Sequence, residues 1–134
     1  MIINDKIDEI EGYLSEIEEF IPADFDGYKR DFKTKAACER YFEKIVEAVT
    51  DLAFLVIKEK GYSTPEEDKQ AFDILAKEKV IPQQLAEHFK DAKGMRNILA
   101  HKYGTVDDET VFHSITEEIV DDANEFLKAV RGML

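Results

Sequence analysis

The sequence predicts an all-α fold, a five-helix up-and-down bundle formed by one domain over residues 1–134. Apolar residues recur at intervals of three and four, which is the period of a helix with one buried face. No stretch alternates apolar and polar residues with a β-branched bias for more than a few positions. The chain has only 6 Gly and 3 Pro and shows neither an internal repeat nor a linker.

The first predicted helix runs from about Ile3 to Phe20 and ends before the loop that contains Pro22 and Gly27. Its apolar stripe is Ile3, Ile7, Ile10, Leu14, Ile17 and Ile21. The second helix is long, from Tyr28 to Lys60, and Gly61 is a typical residue to end it. The apolar face of this second helix is Phe32, Ala36, Phe42, Ile45, Val49, Leu52 and Val56.

The third helix is short and carries Phe72 and Leu75, with Thr64 predicted as its N-cap in a capping box with Glu67. The fourth begins near Pro82 and ends near His101. A polar turn over residues 104–109 separates it from the fifth helix. The apolar face of that last helix is Phe112, Ile115, Ile119, Ala123, Phe126 and Val130.

Composition excludes several broad classes of protein. With 30 Asp and Glu against 18 Lys and Arg the net charge is −12, so a generally basic nucleic-acid coat or a membrane-coating protein is not expected. The longest apolar run, residues 52–57, is far below the ~20 residues of a membrane span. The single Cys38 cannot form an internal disulfide, and the acidic N-terminus does not resemble a secretion signal. We therefore expect a cytoplasmic protein.

Common catalytic motifs have no support in this sequence. The three His residues stand 13 and 12 positions apart, without Cys or a second His at the spacing of metal ligands. There is neither a Gly-rich phosphate loop nor a G-x-S-x-G turn. The sequence therefore predicts no metal site and no bound cofactor.

Two segments are basic although the chain as a whole is acidic. Residues 88–103 hold four basic residues and one acidic residue, and residues 29–44 hold six basic and three acidic ones. If their helices pack side by side, they form one surface for phosphate, and the alternative is an ordinary helix surface of mixed charge. The candidate phosphate or RNA contacts are Lys90, Lys93, Lys102 and Arg40.

The end of the fourth helix is the most informative stretch, because Arg96 and His101 stand there five residues apart. On an unbroken helix they point roughly 140° apart, so they share a site only if the helix unwinds near His101 or if two copies meet. An Arg fork suits the charge of a phosphate in reaction, and a His moves protons near neutral pH. The alternative is a basic helix C-terminus that complements the helix dipole.

The segment Arg96-x4-His101-x-Tyr103, with Asn97 after the Arg, resembles the R-x4-H-x-Y signature of HEPN-domain toxins of the HepT family. The resemblance covers roughly the whole chain. Other features that follow the family's layout are Glu39-Arg40, the turn from Gly61 to Pro65, the stretch from Ala71 to Ala76 before Val80-Ile81, and the acid-rich turn after Tyr103.

This resemblance implies a HEPN bundle that forms a two-fold dimer and acts as a metal-independent endoribonuclease on RNA, not DNA. Arg96 and His101 are the implied catalytic residues, and Asn97 supports one of them by hydrogen bonding. The chain is then the toxin of a type II toxin–antitoxin pair. Its implied partner is a minimal nucleotidyltransferase of the MntA type, the antitoxin, which transfers AMP onto Tyr103.

One other class of function stays open at this point. Related helical proteins bind a nucleotide or a substrate for a nucleotidyltransferase without cutting RNA. In that case the segment around Arg96 is a phosphate clamp, and the sequence does not distinguish the two functions.

Overall fold

A computed structural model describes residues 2–101 and 107–134, with His101 described by its backbone alone. The described residues form helices joined by short links and contain no strand, which confirms the predicted all-α class. No helix in these two ranges is long and apolar enough to cross a membrane. The elements are α1 (Ile2–Phe20), α2 (Phe25–Arg30), α3 (Phe32–Lys60), α4 (Asp68–Lys77), α5 (Gln83–His101), α6 (Asp108–His113), a π-helical turn (Ser114–Glu118) and α7 (Ile119–Met133).

The long central helix α3 organises the bundle, because α1, α4 and α5 all pack against it. The predicted stripe of α1 is buried at Ile3, Ile7, Ile10, Leu14 and Ile17. Burial of one apolar stripe per helix is the main stabilising term in such a bundle. The sequence pattern therefore identified this face correctly.

The predicted second helix is in fact two helices, so a single helix from Tyr28 to Lys60 was wrong. The backbone is extended at Asp31, with φ −98° and ψ 95°, and its carboxylate accepts the N–H groups of Lys33 and Thr34. The first N–H groups of a helix have no carbonyl partner within that helix. An Asp side chain that accepts their hydrogen bonds therefore favours the start of a new helix. Phe32, predicted on the buried face, is consequently 80% exposed in the first turn of α3.

For the link between α3 and α4, the predicted end of α3 is correct and the predicted start of α4 is wrong. Gly61 ends α3 with φ 71°, a left-handed conformation that favours glycine. The helix α4, however, begins at Asp68 and not after Thr64. The Glu66 N–H donates to the Gln70 side-chain oxygen at 2.7 Å, so this donor is satisfied without the predicted capping box.

Three buried Phe rings join α4, α5 and α7 at the centre of the molecule. The Phe72 ring stacks on that of Phe89 with centroids 5.3 Å apart, and Phe126 meets both edge-on. Offset and edge-to-face arrangements are the favourable geometries for such rings. This cluster fixes the N-terminal half of α5 in place.

The predicted fifth helix begins earlier, at Asp108, and is interrupted by the π-helical turn at Ser114–Glu118. The Thr116 hydroxyl donates to the Phe112 carbonyl at 2.8 Å in this region, a local bond that distorts helices. Five predicted helices thus become seven α-helices and one π-helical turn in the described residues. The buried positions of the last segment are Val111, Ile115, Ile119, Ala123, Phe126, Leu127 and Val130.

Candidate functional site

The C-terminal half of α5 carries Arg96, Asn97 and His101, which the sequence analysis identifies as candidate site residues. The helix α5 continues to His101, so the chain does not unwind between Arg96 and His101. The arrangement that requires unwinding between them is therefore not present, and a site shared between two copies stays a prediction. The side chain of His101 lies outside the described residues. The predictions for Lys102 and Tyr103 lie outside them as well.

The Arg96 guanidinium is held between α3 and its own helix. Its Nη2 lies 3.1 Å from the Glu47 Oε2, and its Nη1 donates to the Asn97 Oδ1 at 3.3 Å. The side chain is 25% exposed, while its Nε is buried without a hydrogen-bond partner among the described residues. The Asn97 amide thus contacts one of the two predicted catalytic residues, and a carboxylate that the sequence analysis did not select contacts it too.

Lys93 is buried beneath this site. The residue is 5% exposed, and its Nζ lies 2.8 Å from the Asp68 Oδ2 and 3.4 Å from the Glu47 Oε2. Two carboxylates from two other helices therefore compensate one buried ammonium. Such pairing offsets the cost of removing a charge from water.

The other predicted phosphate contacts are also paired with carboxylates. Lys90 lies 3.1 Å from Asp73, and the hydrogen bond to this carboxylate is the main cause that raises the pKa of Lys90. Arg40 contacts Glu43 at 3.3 Å and keeps a largely exposed side chain. Of these two residues, Arg40 is therefore the more accessible to a ligand.

Arg96 separates two grooves on the surface, and each contains both signs of charge. The groove on one side is lined by Glu9, Tyr13, Arg40, Glu43, Lys44, Glu47, Ala48, Asp51 and Arg96. The groove on the other side is lined by Glu47, Glu67, Asp68, Lys69, Lys93, Arg96 and Asn97. The two basic segments thus meet at Arg96, but carboxylates alternate with their cations and the face is not uniformly positive.

Sequence reasoning missed Glu47 and Asp68. Both belong to acidic helix faces that look like ordinary solvated surface in a chain with 30 Asp and Glu. No local spacing links them to Lys93 and Arg96, since Glu47 lies 46 positions before Lys93. Only the packing of α3 and α4 on α5 brings these four side chains together.

Other reactive side chains in the described residues are less suited to chemistry. Cys38 is fully buried, and this burial raises the pKa of its thiol to about 11, far above that of a reactive cysteine. His88 pairs with Asp122 at 3.1 Å and links α5 to α7. Within residues 2–101 and 107–134, no three His, Cys, Asp or Glu side chains gather in an arrangement that could hold a metal ion.

An all-α bundle with Arg96 and His101 at the end of one long helix fits the HEPN class of proteins. The sequence model of one family, described as ribonuclease HepT-like, matches residues 10–130. The chain therefore belongs to the ribonuclease HepT-like family.

Three relatives match most of the chain. An mRNA nuclease HepT of Shewanella oneidensis is 25% identical over 131 residues, which are 98% of this chain and 97% of the relative. A tRNA nuclease HepT of Aphanizomenon flos-aquae is 26% identical and covers 87% of this chain and 79% of its own length. A putative RNase of Archaeoglobus fulgidus is 30% identical over 92% of this chain and 94% of its own length.

Solved structures share the fold over nearly the whole chain. A tri-AMPylated HEPN toxin of Shewanella oneidensis in complex with an MNT antitoxin superposes with a TM-score of 0.90 at 24% identity, over 98% of this chain and 97% of that one. YutE of Bacillus subtilis, a cytosolic protein of unknown function, has a TM-score of 0.81 at 19% identity, over 98% and 87%. These likenesses agree with the helical architecture described above.

Proposed function

We propose that this protein is an endoribonuclease that acts as the toxin of a type II toxin–antitoxin pair. The observation that carries the proposal is the Arg96 guanidinium, held by Glu47 at the border of two grooves in a chain of the ribonuclease HepT-like family. The relatives named mRNA nuclease, tRNA nuclease and putative RNase support RNA as the substrate class.

The proposed reaction uses His101 and Arg96. The His101 imidazole takes the proton of a ribose 2′-OH as the 2′-oxygen attacks the neighbouring phosphorus. The bond to the 5′-oxygen then breaks as that oxygen receives the proton from the imidazolium. The products are a 2′,3′-cyclic phosphate and a free 5′-OH. Arg96 stabilises the negative charge that builds on the phosphate oxygens. DNA lacks the 2′-OH and is not a substrate in this scheme, and the steps require no metal ion.

The complete site is proposed to form between two copies. Because α5 is continuous, Arg96 and His101 of one chain diverge by roughly 140° around the helix axis. A two-fold axis near the end of α5 places the Arg of one copy beside the His of the other. Closed two-fold dimers are also the commonest symmetric assembly.

Mixing two inactive variants tests this dimer. Arg96→Ala and His101→Ala homodimers lack one member of every site, but a mixed dimer contains one intact site. We expect the mixture to recover about a quarter of wild-type cleavage, since half of the dimers are mixed and each has one of two sites. No recovery after verified subunit exchange would contradict a site shared between copies.

We further propose Tyr103 as the acceptor of AMP from a nucleotidyltransferase antitoxin, with the reaction in the cytoplasm. Support comes from the tri-AMPylated HEPN toxin that was solved with its MNT antitoxin. AMP on Tyr103 adds a nucleotide and a negative charge two residues from His101, where both hinder RNA. Tyr103→Phe should still cleave RNA but escape neutralisation. Continued AMP transfer and silencing of this variant, seen by intact-mass measurement, would place the acceptor elsewhere.

The central experiment is RNA cleavage by purified protein in the presence of EDTA. We expect Arg96→Ala and His101→Ala to lower the rate by about 10²-fold or more while circular dichroism stays unchanged. Arg131→Ala is the matched control, because Arg131 on α7 pairs only with Glu11 among the described residues. If the wild-type protein binds RNA but never cuts it, the segment is a phosphate clamp of a binding subunit and the nuclease proposal fails.

A further inference from the structure

Lys93 is the only charged residue in the described part of the chain that is buried. Its residue exposure is 5%, although it was selected from the sequence as a possible contact for RNA phosphate. To reach a phosphate, its ammonium would have to leave Asp68 at 2.8 Å and Glu47 at 3.4 Å. Loss of these contacts would leave the Asp68 carboxylate without a cation and would leave Glu47 with Arg96 alone. A direct RNA contact therefore does not fit this environment.

One oxygen atom connects Lys93 to Arg96. The Glu47 Oε2 lies 3.4 Å from the Lys93 Nζ and 3.1 Å from the Arg96 Nη2. Both cations are on α5, one helical turn apart, and the shared carboxylate comes from α3. The Lys93 ammonium thus holds in place the Glu47 oxygen that the Arg96 guanidinium also contacts.

Asp68 anchors the same ammonium from a third helix. It is the first residue of α4, and its exposed fraction of 48% shows that the carboxylate is half in water. Lys93 therefore ties α3, α4 and α5 together at the place where Arg96 emerges. Within this cluster of four side chains, the charges of Lys93 and Arg96 balance those of Glu47 and Asp68.

We propose that Lys93 is a positioning residue for RNA cleavage: it holds the Glu47 carboxylate that orients the Arg96 guanidinium. The inference rests on the proposed ribonuclease function. In this scheme Lys93 touches neither the substrate nor the reacting atoms. Its effect therefore belongs to the rate of the chemical step and not to the affinity for RNA.

The first experiment compares Lys93→Met with Lys6→Met in steady-state RNA cleavage. Lys6 on α1 is a matched control, since it also contacts two carboxylates, Glu9 at 2.8 Å and Asp51 of α3 at 3.6 Å, but shares neither with Arg96. We expect Lys93→Met to lower kcat by about tenfold or more with KM within about threefold, and Lys6→Met to change neither by more than about threefold. Lys93→Arg should restore part of kcat.

Two other results would overturn the proposal. A rise in KM at constant kcat, with a smaller salt dependence of RNA binding, would make Lys93 a phosphate contact. A kcat per folded molecule equal to that of wild type would make it a purely structural residue. Should Lys93→Met fail to fold, Asp68→Asn keeps the test open, because it weakens the hold on the ammonium and should also lower kcat.

A nitrogen NMR measurement separates this proposal from the ribonuclease function itself. The side-chain Nε–H signal of Arg96, assigned by its loss in Arg96→Lys, should shift or broaden in Lys93→Met and stay in place in Lys6→Met. An unchanged Arg96 signal in folded Lys93→Met would refute the positioning role even if RNA is cut. A shifted signal in a protein that cuts no RNA would refute the proposed function and leave the link from Lys93 to Arg96 intact.

Discussion

One face of α5 points into the bundle along the helix. Its N-terminal half carries apolar side chains on this face, and its C-terminal half also carries charged ones. In the N-terminal half this face carries Leu85 and Phe89, both buried in the apolar core. The next positions on the face, at helical spacing, are Lys93 and Arg96, which meet carboxylates of α3 and α4. Ionic contacts thus begin about halfway along the helix, where Ala92, Met95 and Leu99 continue to pack against the apolar core.

This difference separates the part of α5 that supports the fold from the part that is available for function. Apolar packing is non-directional and tolerates exchange among side chains of similar volume. An ionic interface depends on the exact position of each charge and loses stability when one partner is removed. Proteins depart from apolar patterning mainly at functional sites, which agrees with a site at the C-terminal half.

The largest expected effect on stability is that of Phe89→Ala. The ring is fully buried between Phe72 and Phe126, with centroids 5.3 and 5.5 Å away, so its loss leaves a cavity among α4, α5 and α7. We expect the free energy of unfolding to fall by about 3–5 kcal/mol in denaturant titration. Ile98→Ala in the other half, where the side chain is exposed, should cost less than about 1 kcal/mol. If both variants lose the same free energy of unfolding, the two halves of α5 do not differ in their contribution to stability.

A smaller, pH-dependent effect is expected for His88→Gln in the N-terminal half. The hydrogen bond to Asp122 is the main cause that raises the pKa of His88 above its ordinary value of 6.5, aided by the charges of Glu118 and Asp91. A raised pKa in the folded state means that the stabilisation is complete below the ordinary value and is lost as pH rises through the raised value. Wild type should therefore exceed His88→Gln in Tm by more at about pH 5.5 than at about pH 8.5.

His113→Gln is the control for this measurement. His113 also faces a carboxylate, Glu117 at 2.9 Å, but both side chains are more than half exposed and lie four positions apart in the chain. Water screens such a pair, so His113→Gln should lower Tm less than His88→Gln at about pH 5.5. A Tm difference for His88→Gln that grows toward alkaline pH would show that the assigned sign is wrong.

The smallest expected effect is that of Gly94→Ala, at the boundary between the two halves of α5. An added methyl group there would lie 3.6 Å from the Lys69 Nζ, an ordinary contact, so the helix should gain about 0.5–1 kcal/mol in the free energy of unfolding. Gly12→Ala in α1, where nothing lies within 4 Å, should gain a similar amount. If Gly94→Ala is destabilising while Gly12→Ala is not, the ionic half leaves no space for a side chain at this position.

Much of the bundle was predictable because it depends on local pattern. The stripe of α1, the end of α3 at Gly61 and the all-α character of the described residues follow from residue spacing and backbone preference. The break at Asp31 was missed because an apolar periodicity continues across it, while the competing signal is a side chain that caps the next helix. Phe32 lies at this break and is exposed for the same reason.

The sequence by itself determined the all-α class, most apolar faces and the selection of Arg96, His101 and Tyr103 as candidates, since each depends on residues close together in the chain. Only the tertiary structure decided that Lys93 is buried and that Glu47 and Asp68 are its partners. An ion pair depends on distance in space, and Glu47 and Lys93 are 46 positions apart. Their contact exists because the core packs α3 and α4 against α5, and no pattern within a single helix encodes that arrangement.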